Sequence, residues 1–142
     1  MTTAMPAENY LSAAFRHHDD IAAGVLSPDN SAYLAGYVVE CTLKAVLEHY
    51  GHAARAYGHD IVSLQGRALT LAAIISPGAM RYRVDTIQNL QAAAALWTPE
   101  MRYLSTGQFS AGDVRTVCDV AGALHDNVLV NMVLDGAYRS WP

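Results

Sequence analysis

The sequence predicts an all-α fold, a single-domain antiparallel helical bundle of about five helices covering residues 1–142, and three observations carry that prediction. Alternation of apolar and polar residues at period two never persists, whereas apolar residues recur three and four apart along the whole chain. Helix-ending signals then divide the chain into five stretches, at "SPDNS" (27–31), Gly51, "SPG" (76–78) and "WTPE" (97–100). Length is the third observation, because 142 residues fit one domain and bury a core that needs neither a disulfide nor a metal.

The elements follow in order. A first helix from about Ala7 to Leu26 places Leu11, Ala14, Phe15, Ile21, Ala22 and Val25 on one side. The short connection after it favours a hairpin with the second helix, which Asn30 or Ser31 caps and which runs to Tyr50, with Gly51 set for the left-handed cap conformation. Asp60 is a natural cap for a third helix, "IVSLQGRALTLAAII". A fourth runs from about Met80 to Leu96, closed by Pro99, which pushes Thr98 out of helical geometry; a loop from Thr98 to about Gln108 follows. Ser110 and Asp113 resemble a capping box and open a last helix to about Leu134, with Val114, Val117, Ala121, Leu124 and Val128 as its apolar stripe.

Composition narrows the function classes. Hydrophobic residues make up 52% and charged ones 15%, a share that leaves apolar surface for a partner. A net charge of -4 argues against a broad nucleic-acid footprint and leaves room for a small nucleotide site. Cys41 and Cys118 each lie inside an apolar helical pattern and read as free thiols of a reducing compartment. No Cys/His spacing of metal-binding type occurs, so neither a metal nor a cofactor is expected. The N-terminus lacks a signal-peptide pattern and no segment approaches the roughly 18 apolar residues of a membrane span, so the expectation is a soluble, cytoplasmic protein without a membrane partner.

The second helix holds the least ordinary feature. The chain has eight arginines but a single lysine, Lys44, which follows Glu40 by one turn in the middle of an apolar helix. Tyr33, Tyr37, Glu40 and Lys44 fall within about 60° of one another on the helical wheel and form a polar seam. Such a pair braces a bundle or faces a ligand, and composition does not separate the two. His59 with Asp60 is either a base beside its orienting carboxylate or a corner residue beside a helix cap. Trp97, Arg102 and Tyr103 either stack a base and hold a phosphate or anchor their loop. Arg16, His17 and His18 suggest phosphate contact or a solvated face, and His125 reads as packed or interfacial.

"YLAGYVVECTLKAVLEHYG", followed by "GHDIVSL", resembles the HEPN domain family (higher eukaryotes and prokaryotes nucleotide-binding). Gly36, Tyr37, Glu40, Lys44 and Leu47 match the second-helix form Gly-Tyr-x-x-Glu-x-x-x-Lys-x-x-Leu, Gly58–Asp60 with Leu64 the start of the next helix, and "WTPEMRY" a segment frequent in small members. The resemblance implies a helical homodimer that binds a nucleotide or RNA, in some members beside a nucleotidyltransferase antitoxin partner. Nuclease members carry an Arg followed after four to six residues by a His, and none of the eight arginines meets that spacing; Arg55 to His59 comes nearest. The expectation is therefore a non-catalytic, dimeric interaction or nucleotide-sensing module of a prokaryotic toxin–antitoxin or defence system. The alternative is a metal-independent endoribonuclease with a rearranged site. Ligand-binding candidates are Tyr37, Glu40, Lys44, Asp60 and Tyr103; catalytic candidates are His59 and Arg102.

Overall fold

A computed structural model describes residues 9–74, 81–100 and 109–136 of the chain, and every described element is helical. Helix α1 spans Tyr10–Ala22, α2 Pro28–His49, α3 Ile61–Ile74 and α4 Leu90–Leu96, with a short 3₁₀ turn at Arg55–Tyr57. Helix α5 spans Ala111–Leu134 and includes a π-helical turn at His125–Leu129. The described residues form the expected all-α bundle of about five helices.

Side chains at the helix starts satisfy backbone N–H groups that no preceding turn can satisfy. Asn9 accepts from the Ser12 N–H at 2.8 Å, Asp60 from Ser63 at 3.1 Å and Ser110 from Asp113 at 3.0 Å. Helix α2 departs from expectation: its cap is Ser27, which accepts from the Asn30 N–H at 3.3 Å, and not Asn30 or Ser31. Pro28 explains the shift, since a proline in the first turn loses no intrahelical hydrogen bond and has the helical φ already set. At the other end Gly51 takes φ +82, and the His52 N–H donates to the Leu47 carbonyl at 2.9 Å.

Helix α2 is the hub, packed against α1, α3 and α5, while α4 bridges α3 and α5. Leu43, Val46, Leu47, Val38 and Val39 of α2 are essentially fully buried, together with Leu64 of α3 and Leu124 and Leu129 of α5. Burying each such side chain contributes about 1.5–3 kcal/mol, so the wrapped helix α2 is the main source of cohesion.

Two further boundaries are corrected. Helix α1 stops at Ala22, because Gly24 turns left-handed at φ +76, and Val25 is 84% exposed instead of continuing the apolar stripe. The fourth helix starts at Leu90, and residues 81–89 are irregular; Met80 lies outside the described residues. Tertiary bonds hold that segment: the Tyr82 N–H donates to the Tyr50 hydroxyl at 3.0 Å, the Tyr82 hydroxyl to Asp135 at 2.8 Å, and Arg83 to the Ala72 carbonyl at 3.2 Å. These contacts, with Asn89 at φ +63, override the local helical preference.

By length and composition alone α5, at 24 residues, could also cross a membrane, where the sequence reading expected no such segment. In the fold its Val117, Val120, Ala121, Leu124 and Val128 face the core. Both cysteines are free thiols, with Cys41 buried and Cys118 half-buried. Burial, with Asp119 adding to it, pushes the Cys118 thiol above its usual range.

Candidate functional site

The seam on α2 meets His59, two residues before α3, at one carboxylate. Glu40 and Lys44 are 3% and 5% exposed, and Lys44 Nζ donates to Glu40 Oε2 at 3.4 Å. Helical spacing of four residues puts the two side chains one above the other. Glu40 Oε1 is 2.8 Å from His59 Nδ1, whose side chain is 55% exposed. A carboxylate paired with an ammonium only accepts, so Nδ1 carries the hydrogen of this contact and Nε2 is left facing the cleft. Lys44 Nζ also lies 5.1 Å from the centre of the Tyr10 ring, a cation–π contact across to α1.

These groups line a cleft of about 420 Å³ between α1 and α2, bordered by Tyr10, Arg16, Tyr37 and His59. Lys44 neutralises Glu40 at the floor, and Arg16 keeps the rim cationic. Tyr37 forms the side wall. Its ring is edge-on to Trp97 at 4.8 Å and to His59 at 5.8 Å, with His17 at 5.6 Å, and its hydroxyl is 3.1 Å from that of Tyr33. Burial, reinforced by the Arg16 charge, pushes His17 below its ordinary value against the opposite pull of Asp20 and Glu40.

The wall is fixed from behind. Trp97 is 3% exposed and donates from Nε1 to the Tyr33 carbonyl at 2.9 Å, crossing α2 directly over Gly36. Trp97 therefore anchors its loop on the bundle.

Asp60 is exposed and turned to its own helix. Its carboxylate accepts from the Ser63 N–H and, at 2.7 Å, from the Ser63 hydroxyl, and these bonds hold it below the usual carboxylate range. The carboxylate that orients His59 is Glu40, 19 residues upstream. Arg102 and Tyr103 lie outside the described residues. The structure thus unites Tyr37, Glu40, Lys44 and His59, and adds Tyr10 and Arg16 of α1, which the sequence reading did not connect to the seam. The signal for both is their position in the first two turns of α1, the hairpin partner of α2.

A larger cleft of about 690 Å³ lies on the other flank of α1, bordered by Arg16, Asp19, Asp20, Phe15 and His125. His125, at the start of the π turn, stacks on His18 with centroids 3.8 Å apart, and its Nδ1 lies 2.9 Å from the accepting Asp126 Oδ1. Burial and the neighbouring His125 push His18 downward, opposed by Asp19 and Asp126. Among the described residues no three His, Cys, Asp or Glu side chains are placed to hold a metal ion.

Fold and site define a helical bundle with a buried, histidine-tipped ion pair at the floor of a cleft. Compared with protein-family models, curated proteins and solved structures, the chain matches none.

Proposed function

We propose that this chain is a non-catalytic, HEPN-type module that binds a nucleotide in the α1–α2 cleft and works as a dimeric sensing or interaction component of a prokaryotic toxin–antitoxin or defence system. The observation that carries the reading is the Glu40 carboxylate, buried with Lys44 on one oxygen and holding an exposed His59 on the other. A brace needs only the first contact. The second holds an imidazole at the cleft mouth beside Tyr37 and the Arg16 guanidinium, groups that suit a base or sugar face and a phosphate. The match of Gly36, Tyr37, Glu40, Lys44 and Leu47 to the HEPN second-helix form supports the family part of the reading.

Thermal-shift measurements with AMP, ADP, ATP and GTP test it. A nucleotide at 100 times its Kd adds about 2.7 kcal/mol, so a clear rise in Tm is expected for at least one, lost in His59→Ala. No rise for any of the four would remove the nucleotide. A mass equal to a single chain by light scattering at micromolar concentration would remove the dimer.

One observation favours a second reading, a metal-independent endoribonuclease. His59 with Nδ1 on Glu40 presents Nε2 as a base for a ribose 2′-hydroxyl, with Arg16 placed for the scissile phosphate. Specific RNA cleavage in EDTA, abolished by His59→Ala or by Arg16→Ala, would select this reading over the first.

A further inference from the structure

Lys44 is too deep to be the group a ligand meets first. It lies on the cleft floor, its ammonium between Glu40 Oε2 and the face of Tyr10, and Glu40 connects it to His59. We propose that Lys44 is a positioning residue that acts through Glu40 to keep His59 Nε2 free of a proton at neutral pH, so that the cleft takes ligands offering a hydroxyl or amide hydrogen at that atom and an anion at Arg16. This deepens, and rests on, the reading of the cleft as a ligand site.

The argument is a proton count. The Glu40 and Lys44 charges cancel, so a neutral imidazole completes the cluster, with its one hydrogen on Nδ1 directed at Oε1. Take the ammonium away, and a buried carboxylate is left against a neutral ring. An uncompensated buried charge is costly, so the cluster draws one proton from solvent. That proton has two places to go. On Nε2 it makes an imidazolium. On Glu40 it makes a carboxylic acid that donates to Nδ1, and the ring's own hydrogen moves to Nε2. Both outcomes put a hydrogen on Nε2 and turn the atom facing the ligand from acceptor to donor. Among the described residues the other groups facing the ring do not replace the ammonium: Tyr37 meets it edge to face, His17 packs on Tyr37, and Arg16 is on the rim.

The experiment is ¹⁵N-edited NMR of the imidazole groups in unliganded protein at pH 7, with His59→Gln to assign the signal. A hydrogen bond to an ionised partner is strong enough to favour the Nδ1–H form by about tenfold or more in the wild type. Lys44→Met is expected to move Nε2 into the protonated range and Lys44→Arg to return it. A protonated Nε2 in the wild type would overturn the proposal without any variant, and so would an unchanged Nε2 in folded Lys44→Met. Lys44→Gln, which keeps a polar end near Glu40, serves if the Met variant does not fold. Because the spectra need no ligand, failure of every nucleotide in thermal shift would count against the ligand reading alone. A wild-type thermal shift with AMP that disappears in folded Lys44→Met but survives in Lys44→Arg is the expected companion result.

Discussion

The Trp97 indole occupies the space in which a side chain at Gly36 would begin: a Cβ there would overlap indole Cδ1, Nε1 and Cε2. Glycine is thus required at this point of α2 by tertiary contact, since the backbone itself is ordinary helix. Gly36→Ala gains helix propensity of about 1 kcal/mol on an isolated helix. In the fold it must instead displace a buried indole that bonds to the Tyr33 carbonyl, and overpacking of this kind costs about 1–3 kcal/mol. The net expectation is a lower urea midpoint for Gly36→Ala, with recovery in the double variant Gly36→Ala/Trp97→Leu relative to Trp97→Leu alone. A midpoint unchanged in Gly36→Ala would show that the indole is free to move.

The segment that the sequence reads as the start of a helix is instead clasped by Asp135 at the end of α5. One carboxylate oxygen, Oδ2, accepts from the Tyr82 hydroxyl at 2.8 Å and from Arg81 Nε at 2.9 Å. Burial and the Asp135 carboxylate push the Tyr82 phenol up to about 12. Tyr82→Phe keeps the buried ring and removes the bond, so it is expected to cost about 1.5–3 kcal/mol in denaturant unfolding. Arg81→Ala, on an exposed and solvent-screened pair, is expected to cost less than Tyr82→Phe. Equal costs for the two would contradict the placement of the Tyr82 hydroxyl.

What the sequence reveals divides along physical lines. Caps with one local partner are legible, so Asp60 and Ser110 fall where the pattern puts them. The Glu40–Lys44 pair is legible because helical spacing alone brings it together. Interactions across the fold are not: His59 finds Glu40 rather than its neighbour Asp60, and Tyr82 finds Asp135 over 53 positions. Likewise α2 starts at Pro28 behind a Ser27 cap, ahead of the Asn30 or Ser31 cap read from the sequence, and α1 ends at a glycine conformation that only the folded chain selects.

Acid is expected to weaken the fold in two separate windows. His17 and His18 resist protonation in the folded chain but take a proton near 6.5 when unfolded, so the unfolded state binds more protons as pH falls through about 6.5. Stability therefore drops from pH 7.5 towards 5.5 and levels off once pH lies below their depressed folded values, where both states are protonated. The carboxylates of Asp60, Asp85 and Asp135, held low by Ser63, Arg83 and Arg81, act the same way nearer pH 3.8. Urea midpoints between pH 7.5 and 4.5 check the upper window. His18→Gln is expected to flatten the slope; an unaltered slope would locate the sensitivity elsewhere.

The Glu40–Lys44 pair permits a cycle that separates a brace from a site. Glu40→Ala leaves the Lys44 ammonium buried, with the Tyr10 face as its remaining partner among the described residues, and is expected to cost about 3–5 kcal/mol. Lys44→Met is expected to cost less, because His59 already holds the other oxygen of Glu40 and the cluster can take up a proton. The double variant Glu40→Leu/Lys44→Met removes both charges at similar volume, and replacement of a buried pair by apolar groups is often neutral or stabilising. It is therefore expected to regain most of the stability lost in Glu40→Ala. A brace would then be fully replaced. The site would not, since His59 has lost the acceptor that orients it, and the nucleotide-dependent rise in Tm should vanish in a protein as stable as the wild type. Retention of that rise in the double variant would place ligand recognition outside the Glu40–His59 contact.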